Sequence, residues 1–99
     1  MKRNPRIVCA DGFSMSVQAN EFSYCKPRRD AGPHTHMEGG FPSSTPLNPE
    51  LRKFAEDLYG CDDQSECDFT ETVYGYVPRE VFEREFELHG GIVEGNLPY

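Results

Sequence analysis

No stretch of this 99-residue chain is apolar for the roughly 18–20 residues that a bilayer-spanning helix needs. The basic start, Lys2-Arg3-Asn4-Pro5-Arg6, is not followed by the apolar run of about 7–15 residues that marks a secretory signal. Residence in the cytoplasm is therefore expected, with thiols kept reduced. Cys9, Cys25, Cys61 and Cys67 form no Cys-x-x-Cys pair, so the strong spacing signal for zinc is missing. Gly-x-Ser-x-Gly and Gly-x-x-x-x-Gly-Lys are absent as well, which removes the familiar frames for nucleophilic catalysis and for cradling a triphosphate. No cofactor is expected. Hydrophobic residues make up only 36% of the chain, against about 45–50% in globular domains. Seven Phe and five Tyr offset this shortage, because each aromatic buries roughly 150–250 Å². One small domain with an aromatic core follows, with residues 1–5 and 94–99 expected as flexible ends.

The net charge of −7 is unevenly spread. Residues 1–30 carry six basic and three acidic side chains, while residues 31–99 carry four basic and fourteen acidic ones. The plain reading is a solvated acidic surface that maintains solubility. The sharper one is an acidic surface aimed at a basic partner. Direct binding of nucleic acid is disfavoured, since ten basic residues face seventeen acidic ones.

Along the chain, Arg6 to Cys9 is a short apolar run and Asp11-Gly12 is a tight-turn signal. Phe13, Met15, Val17 and Ala19 then alternate with Ser14, Ser16 and Gln18, the period of a half-buried strand. A Pro-punctuated basic loop follows, and His34 to Phe41 reads as a third strand weakened at its end by Gly39-Gly40. Asn48 is a good N-cap with Pro49 behind it, and Leu51, Phe54, Ala55, Leu58 and Tyr59 share one face of a three-turn helix stopped by Gly60. After the acidic loop 61–69, Thr70 to Val77 reads as a fourth strand, with Tyr74 and Tyr76 on one face and Val73 and Val77 on the other. Pro78 opens a second helix to His89. Its inner side holds Val81, Phe82, Phe86 and Leu88, and Glu80 is spaced to pair with Arg84. Gly90-Gly91 ends it, and Ile92-Val93 is a candidate last strand. The expected fold class is α+β: an antiparallel or mixed sheet of 3–5 strands, begun by a β-hairpin, with two amphipathic helices on one face.

The best binding candidate is the loop Tyr24-Cys25-Lys26-Pro27-Arg28-Arg29. Its guanidiniums can grip a phosphate bidentately while a base stacks on the ring, and its prolines reduce the ordering that binding requires. The competing reading is an ordinary basic loop that pairs with the acidic body. Tyr24, Lys26, Arg28 and Arg29 are thus the candidate ligand-binding residues, with Tyr74 and Tyr76 as an added stacking surface. His34, His36 and Glu38 fall at alternate positions, and two imidazoles with a carboxylate can hold zinc or iron. A solvated polar strand face is the simpler account of that pattern. Cys25 beside Lys26 and Arg28 has the setting for a lowered thiol pKa, the ingredient of a Cys-dependent hydrolase. Cys61 and Cys67 could close a disulfide only under oxidising conditions.

Several stretches are similar to a group of short, mostly uncharacterised proteins encoded by bacteriophages and prophages. They are Ala10-Asp11-Gly12-Phe13-Ser14-Met15-Ser16-Val17-Gln18-Ala19, Tyr24-Cys25 with Pro27-Arg28, Gly40-Phe41-Pro42-Ser43, Val73-Tyr74-Gly75-Tyr76-Val77-Pro78, and His89-Gly90-Gly91. The resemblance implies an accessory, non-enzymatic protein expressed in a bacterial host and directed at its defences. One form would sequester a nucleotide immune signal, often at a homo-oligomer interface, and the loop 24–29 suits it. Another would be an anti-CRISPR-type inhibitor that covers a host defence protein, which the acidic residues beyond 30 suit. A structural or metal-binding small phage protein is the third.

Overall fold

The Asp11-Gly12 turn forms with a longer geometry than a two-residue hairpin. In the computed structural model, which describes residues 3–56 and 68–99, β1 (Ile7–Cys9) and β2 (Ser14–Gln18) are joined by Ala10, Asp11 and Gly12. The Gly12 amide donates to the Cys9 carbonyl at 3.0 Å, and the Cys9 amide donates to Phe13 at 2.8 Å. Only Gly12 has a positive φ, 94°. This is a type I turn closed by a left-handed glycine, the three-residue hairpin. The Asp11 carboxylate accepts from the Phe13 amide at 2.9 Å and so holds the turn from inside.

Three further strands complete one antiparallel sheet: β3 (His36–Gly40), β4 (Val73–Pro78) and β5 (Ile92–Glu94), in the order β4-β3-β2-β1-β5. The fold is α+β, and its sheet is antiparallel throughout. The helices are α1 (Pro49–Arg52) and α2 (Arg79–Leu88). Leu51 of α1 and Val81, Phe82 and Phe86 of α2 are buried with Ile7, Met15, Val17, Met37, Tyr74 and Val77 of the sheet in one core. Gly39 belongs to this core. A Cβ there would lie 2.6 Å from the Met15 methyl and 2.8 Å from the Phe82 ring, so the missing side chain is space already filled by two neighbours.

Helix α1 is shorter than its apolar spacing implies. Asn48 caps it as expected, accepting from the Glu50 amide at 3.1 Å. Ala55 then pairs with Tyr74, and the Glu56 amide donates to the Val73 carbonyl at 2.9 Å. The backbone thus leaves the helix to pair with the outer edge of β4, a gain the helical periodicity does not register. Leu58, Tyr59, Gly60, Cys61 and Cys67 lie outside the described residues, as does most of the acidic loop.

Helix α2 ends as its glycines require. Gly90 has φ 88°, its amide donates to Glu87 at 3.1 Å, and the Gly91 amide donates to Phe86 at 2.9 Å, the paired bonds of a Schellman motif. Two expectations for this helix change. Leu88 is exposed, and its inner place is taken by Glu85, which is fully buried. Arg84 reaches Glu87, at 3.8 Å on an open surface. The Glu85 carboxylate accepts from the Asn48 amide at 2.7 Å, from the Leu47 amide at 3.0 Å and from His89 Nε2 at 2.5 Å. His89 Nδ1 meets the Asp11 carboxylate at 2.7 Å, and its ring stacks on Phe13 at 3.8 Å. Both ring nitrogens of His89 thus lie against carboxylate oxygens, and one chain of hydrogen bonds joins the hairpin turn, α2 and the start of α1.

Among the described residues, both terminal segments contact the body of the domain. Asn4 exchanges bonds with Gln18 at 2.7 and 2.8 Å, and Leu97 packs on the core. The Pro98 and Tyr99 carbonyls accept from Arg79, and Tyr99 also accepts from the His34 amide at 2.5 Å.

Two outcomes follow from the Asp11–His89–Glu85 chain. His89→Phe removes the side-chain partner of the fully buried Glu85 and should lower stability by about 3–5 kcal/mol in urea unfolding. The Phe13 amide first, and His89 second, hold the Asp11 carboxyl below the usual carboxylate range. A carboxyl with a lowered folded value contributes stability above its unfolded value of about 3.9, and that contribution fades as the pH falls through the folded value. The stability gap between the unaltered protein and Asp11→Asn should therefore be constant near neutrality and shrink below about pH 4.

Candidate functional site

Beyond β2, one buried asparagine shapes the loop that carries the candidate residues. Asn20 Oδ1 accepts from the Phe22 amide at 2.9 Å and from the Ser23 hydroxyl at 3.1 Å, while its carbonyl accepts from the Ser23 amide at 3.1 Å. This Asx turn lifts Phe22 and Tyr24 out and keeps Ser23 and Cys25 in. Lys26 then rejoins the sheet beside His36, donating to its carbonyl at 3.0 Å. The bonds Lys26–Pro27 and Gly32–Pro33 are cis.

Between these anchors the loop arches over the sheet face that the helices leave open. The Tyr24 amide donates to Glu38 Oε2 at 3.1 Å, and the Tyr24 carbonyl accepts from the Tyr76 amide at 2.9 Å. That second bond exists because β4 is bulged. Gly39 faces Tyr74 and Met37 faces Val77, so Gly75 and Tyr76 together stand opposite Glu38. Tyr76 has φ 53°. Its ring stacks on Tyr24 with centroids 5.7 Å apart, and the Arg28 guanidinium lies over the Tyr24 ring at 5.7 Å. The space beside Gly75 is filled by the Glu56 carboxylate, which a Cβ there would push aside.

The bulge also overturns the expected pairing of Tyr74 with Tyr76. An unbroken strand would put both on one face. With the extra residue Tyr74 turns inward, is fully buried, and donates its hydroxyl to the Phe69 carbonyl at 2.5 Å. Burial raises its phenol well above the ordinary tyrosine value. Tyr74 is a core residue and takes no part in a surface. Of the six residues read as ligand-binding, Tyr24, Arg28 and Tyr76 come together. Lys26 is exposed on the same loop, and Arg29 bonds to the Ala31 carbonyl at 3.1 Å.

His34, His36 and Glu38 do not gather on one face. His34 is buried ahead of β3, with Nε2 against the Arg29 carbonyl at 2.9 Å and Nδ1 buried without a hydrogen-bond partner. His36 contacts the Thr35 hydroxyl at 2.9 Å, and Glu38 holds the Tyr24 amide. Among the described residues no three His, Cys, Asp or Glu side chains are placed to hold a metal. His34 instead borders a cavity of about 470 Å³ between residues 30–34 and the tail at Leu97, Pro98 and Tyr99.

The thiol expectation is reversed. Cys25 is buried, its Sγ lies 3.2 Å from the Asn20 carbonyl, and burial pushes its pKa up despite the nearby Arg28. Cys9 is likewise raised, by burial and then by Asp11 and Glu85. Neither has the setting of a nucleophile. Sequence reasoning missed the Asp11–His89–Glu85 chain, although Glu85 and His89 stand four apart on the buried side of α2. It also missed Phe22 and Phe41, which expose their rings on the open face.

No protein-family model matches the chain, and comparison with curated proteins and with solved structures finds no match either. No helix among the described residues is long and apolar enough to cross a membrane.

The cysteine geometry is checked by alkylation. Iodoacetamide at neutral pH should modify Cys9 and Cys25 at least a hundredfold more slowly in the folded protein than in urea, read by peptide mass mapping.

Proposed function

We propose that the protein is a non-enzymatic binding protein that sequesters a phosphate-bearing nucleotide, and that it acts as a phage accessory protein against a host immune signal. The observation that carries the ligand class is the exposed Tyr24–Tyr76 stack with Arg28 over it. A planar base finds an aromatic face there, and a guanidinium on the same loop supplies charge-assisted bonds to phosphate. The similarity of residues 10–19, 73–78 and 89–91 to small phage proteins supports the host signal as the source of the nucleotide. The two aromatic rings are tied by backbone bonds to Glu38 and to each other, so little ordering remains for binding to require.

A second reading is an inhibitor that covers a basic protein surface. It is favoured by the solvent side of α2, where Glu83 and Glu87 line a groove with Ile92, and Glu80 and Glu94 are exposed as well. Complex formation in that case falls steeply with added salt.

The test is a thermal-shift and calorimetric panel of mononucleotides, cyclic nucleotides and ADP-ribose. A nucleotide that raises the Tm of the unaltered protein should bind at least tenfold more weakly to Arg28→Ala and to Tyr76→Ser. Tyr74→Phe, which loses only a core hydrogen bond of about 1 kcal/mol, should bind as the unaltered protein does. Equal binding by Arg28→Ala refutes the assignment.

A further inference from the structure

The open face of the sheet carries a second pair of exposed rings that the tyrosine stack leaves unexplained. Among the described residues only two that are not glycine have a left-handed backbone, Tyr76 at φ 53° and Phe41 at φ 49°. Both are aromatic and both expose the ring, to 39% and 51%. A residue with a Cβ is strained in that region, and strain kept at surface rings points to a use outside stability. Phe41 follows β3, and Phe22, 66% exposed, rises from the arch of the loop. The two rings flank a trough of about 360 Å³ floored by Ser16, Gln18 and Gly40.

Charge in the trough is arranged around its ends. Arg6 is pinned by Ser14 Oγ at 3.0 Å, the Ser14 carbonyl at 3.3 Å and the Phe41 carbonyl at 2.6 Å. Those bonds use Nε and Nη2 and leave Nη1 available to an anion. Arg3 lies on the same rim. Glu38 sits between the trough and the tyrosine stack. One of its oxygens holds the Tyr24 amide, and the other is an acceptor for N–H groups on a base edge. Glu38 faces the bulge of β4, and Phe41 is three residues further along, a backbone advance of about 10 Å at about 3.4 Å per residue.

We propose that the trough is a second base-binding subsite, and that the ligand is a dinucleotide joined by a phosphodiester. This rests on the nucleotide reading of the Tyr24–Tyr76 stack. One base lies on Tyr76, the other between Phe22 and Phe41, and the phosphates meet Arg28 at one end and Arg3 and Arg6 at the other. A mononucleotide occupies only one ring site. A long strand is opposed by the net charge of −7, which two or three phosphates tolerate and a polymer does not. The free Glu38 oxygen can accept one N–H from the edge of guanine.

Calorimetry with GMP and with the 5′-phosphorylated guanine dinucleotide tests the proposal. The dinucleotide should bind the unaltered protein at least tenfold more tightly than GMP, the gain expected of one added stacked base. Phe41→Gly removes the ring and relieves the positive φ, so its Tm should equal or exceed that of the unaltered protein. It should reduce dinucleotide affinity to the GMP level and leave GMP unchanged. Equal affinities for the two ligands, both lost in Arg28→Ala, overturn the trough and leave the tyrosine site standing. Dinucleotide binding that survives Tyr76→Ser overturns the tyrosine site and the two-site ligand with it. Binding of neither ligand overturns both.

Discussion

Between Tyr74 and Val77 the fourth strand uses two residues, Gly75 and Tyr76, where its neighbour uses only Glu38. That extra residue sets the direction of everything around it. Tyr74 turns into the core, Tyr76 turns out, and the freed Tyr76 amide reaches the Tyr24 carbonyl. The loop 20–26 is thereby drawn across the open face instead of projecting from it. An unbulged β4 would bury or expose both tyrosines together and leave Tyr24 with no backbone partner on that strand. The stack, the position of Arg28 over it and the path of the loop all depend on this one bulge, and the Glu56 carboxylate packs into the space beside Gly75.

The opposite side of the molecule is governed by a charge in the wrong place for a small core. Glu85 is fully buried among Val81, Phe82 and Phe86, a position that apolar side chains usually hold. It is tolerable because every approach to the carboxylate is filled: two amides from the start of α1 and His89, itself anchored by Asp11. With hydrophobic residues scarce, directed hydrogen bonds take over part of the work of locating α1, α2 and the hairpin relative to one another. The helices are then confined to one face of the sheet, and the other face stays open with its rings and guanidiniums.

Much of the fold was legible where local chemistry and period agreed. The alternation of Phe13, Met15, Val17 and Ala19, the Asn48 cap and the Gly90-Gly91 stop all reappear in the structure. The misses share a cause: a tertiary partner that no local pattern contains. Ala55 and Glu56 leave the helix because β4 offers an edge to pair with. Leu88 lies about 90° from the middle of the buried arc of α2 at 100° per residue, so its hydrophobicity misled, while Glu85 sits near the centre of that arc. The bulge had a visible sign, a lone glycine between two tyrosines in a strand, which marks bulges more often than smooth alternation does. Phe41 gave no such sign, because a positive φ at a phenylalanine is set by its neighbours and not by its type.

The site thus combines parts of different origin: a loop shaped by Asn20, a ring turned out by a bulge, and a guanidinium carried by the same loop. The proposed ligand engages the open face at Tyr24 and Tyr76. Amide chemical-shift mapping of the ¹⁵N-labelled protein during titration with GMP tests this directly. The largest shifts are expected at Tyr24, Tyr76 and Arg28, with the amides of α2 and β5 unmoved. Shifts centred instead on His34 and the tail at Leu97 to Tyr99, or no shifts at saturating nucleotide, would contradict it.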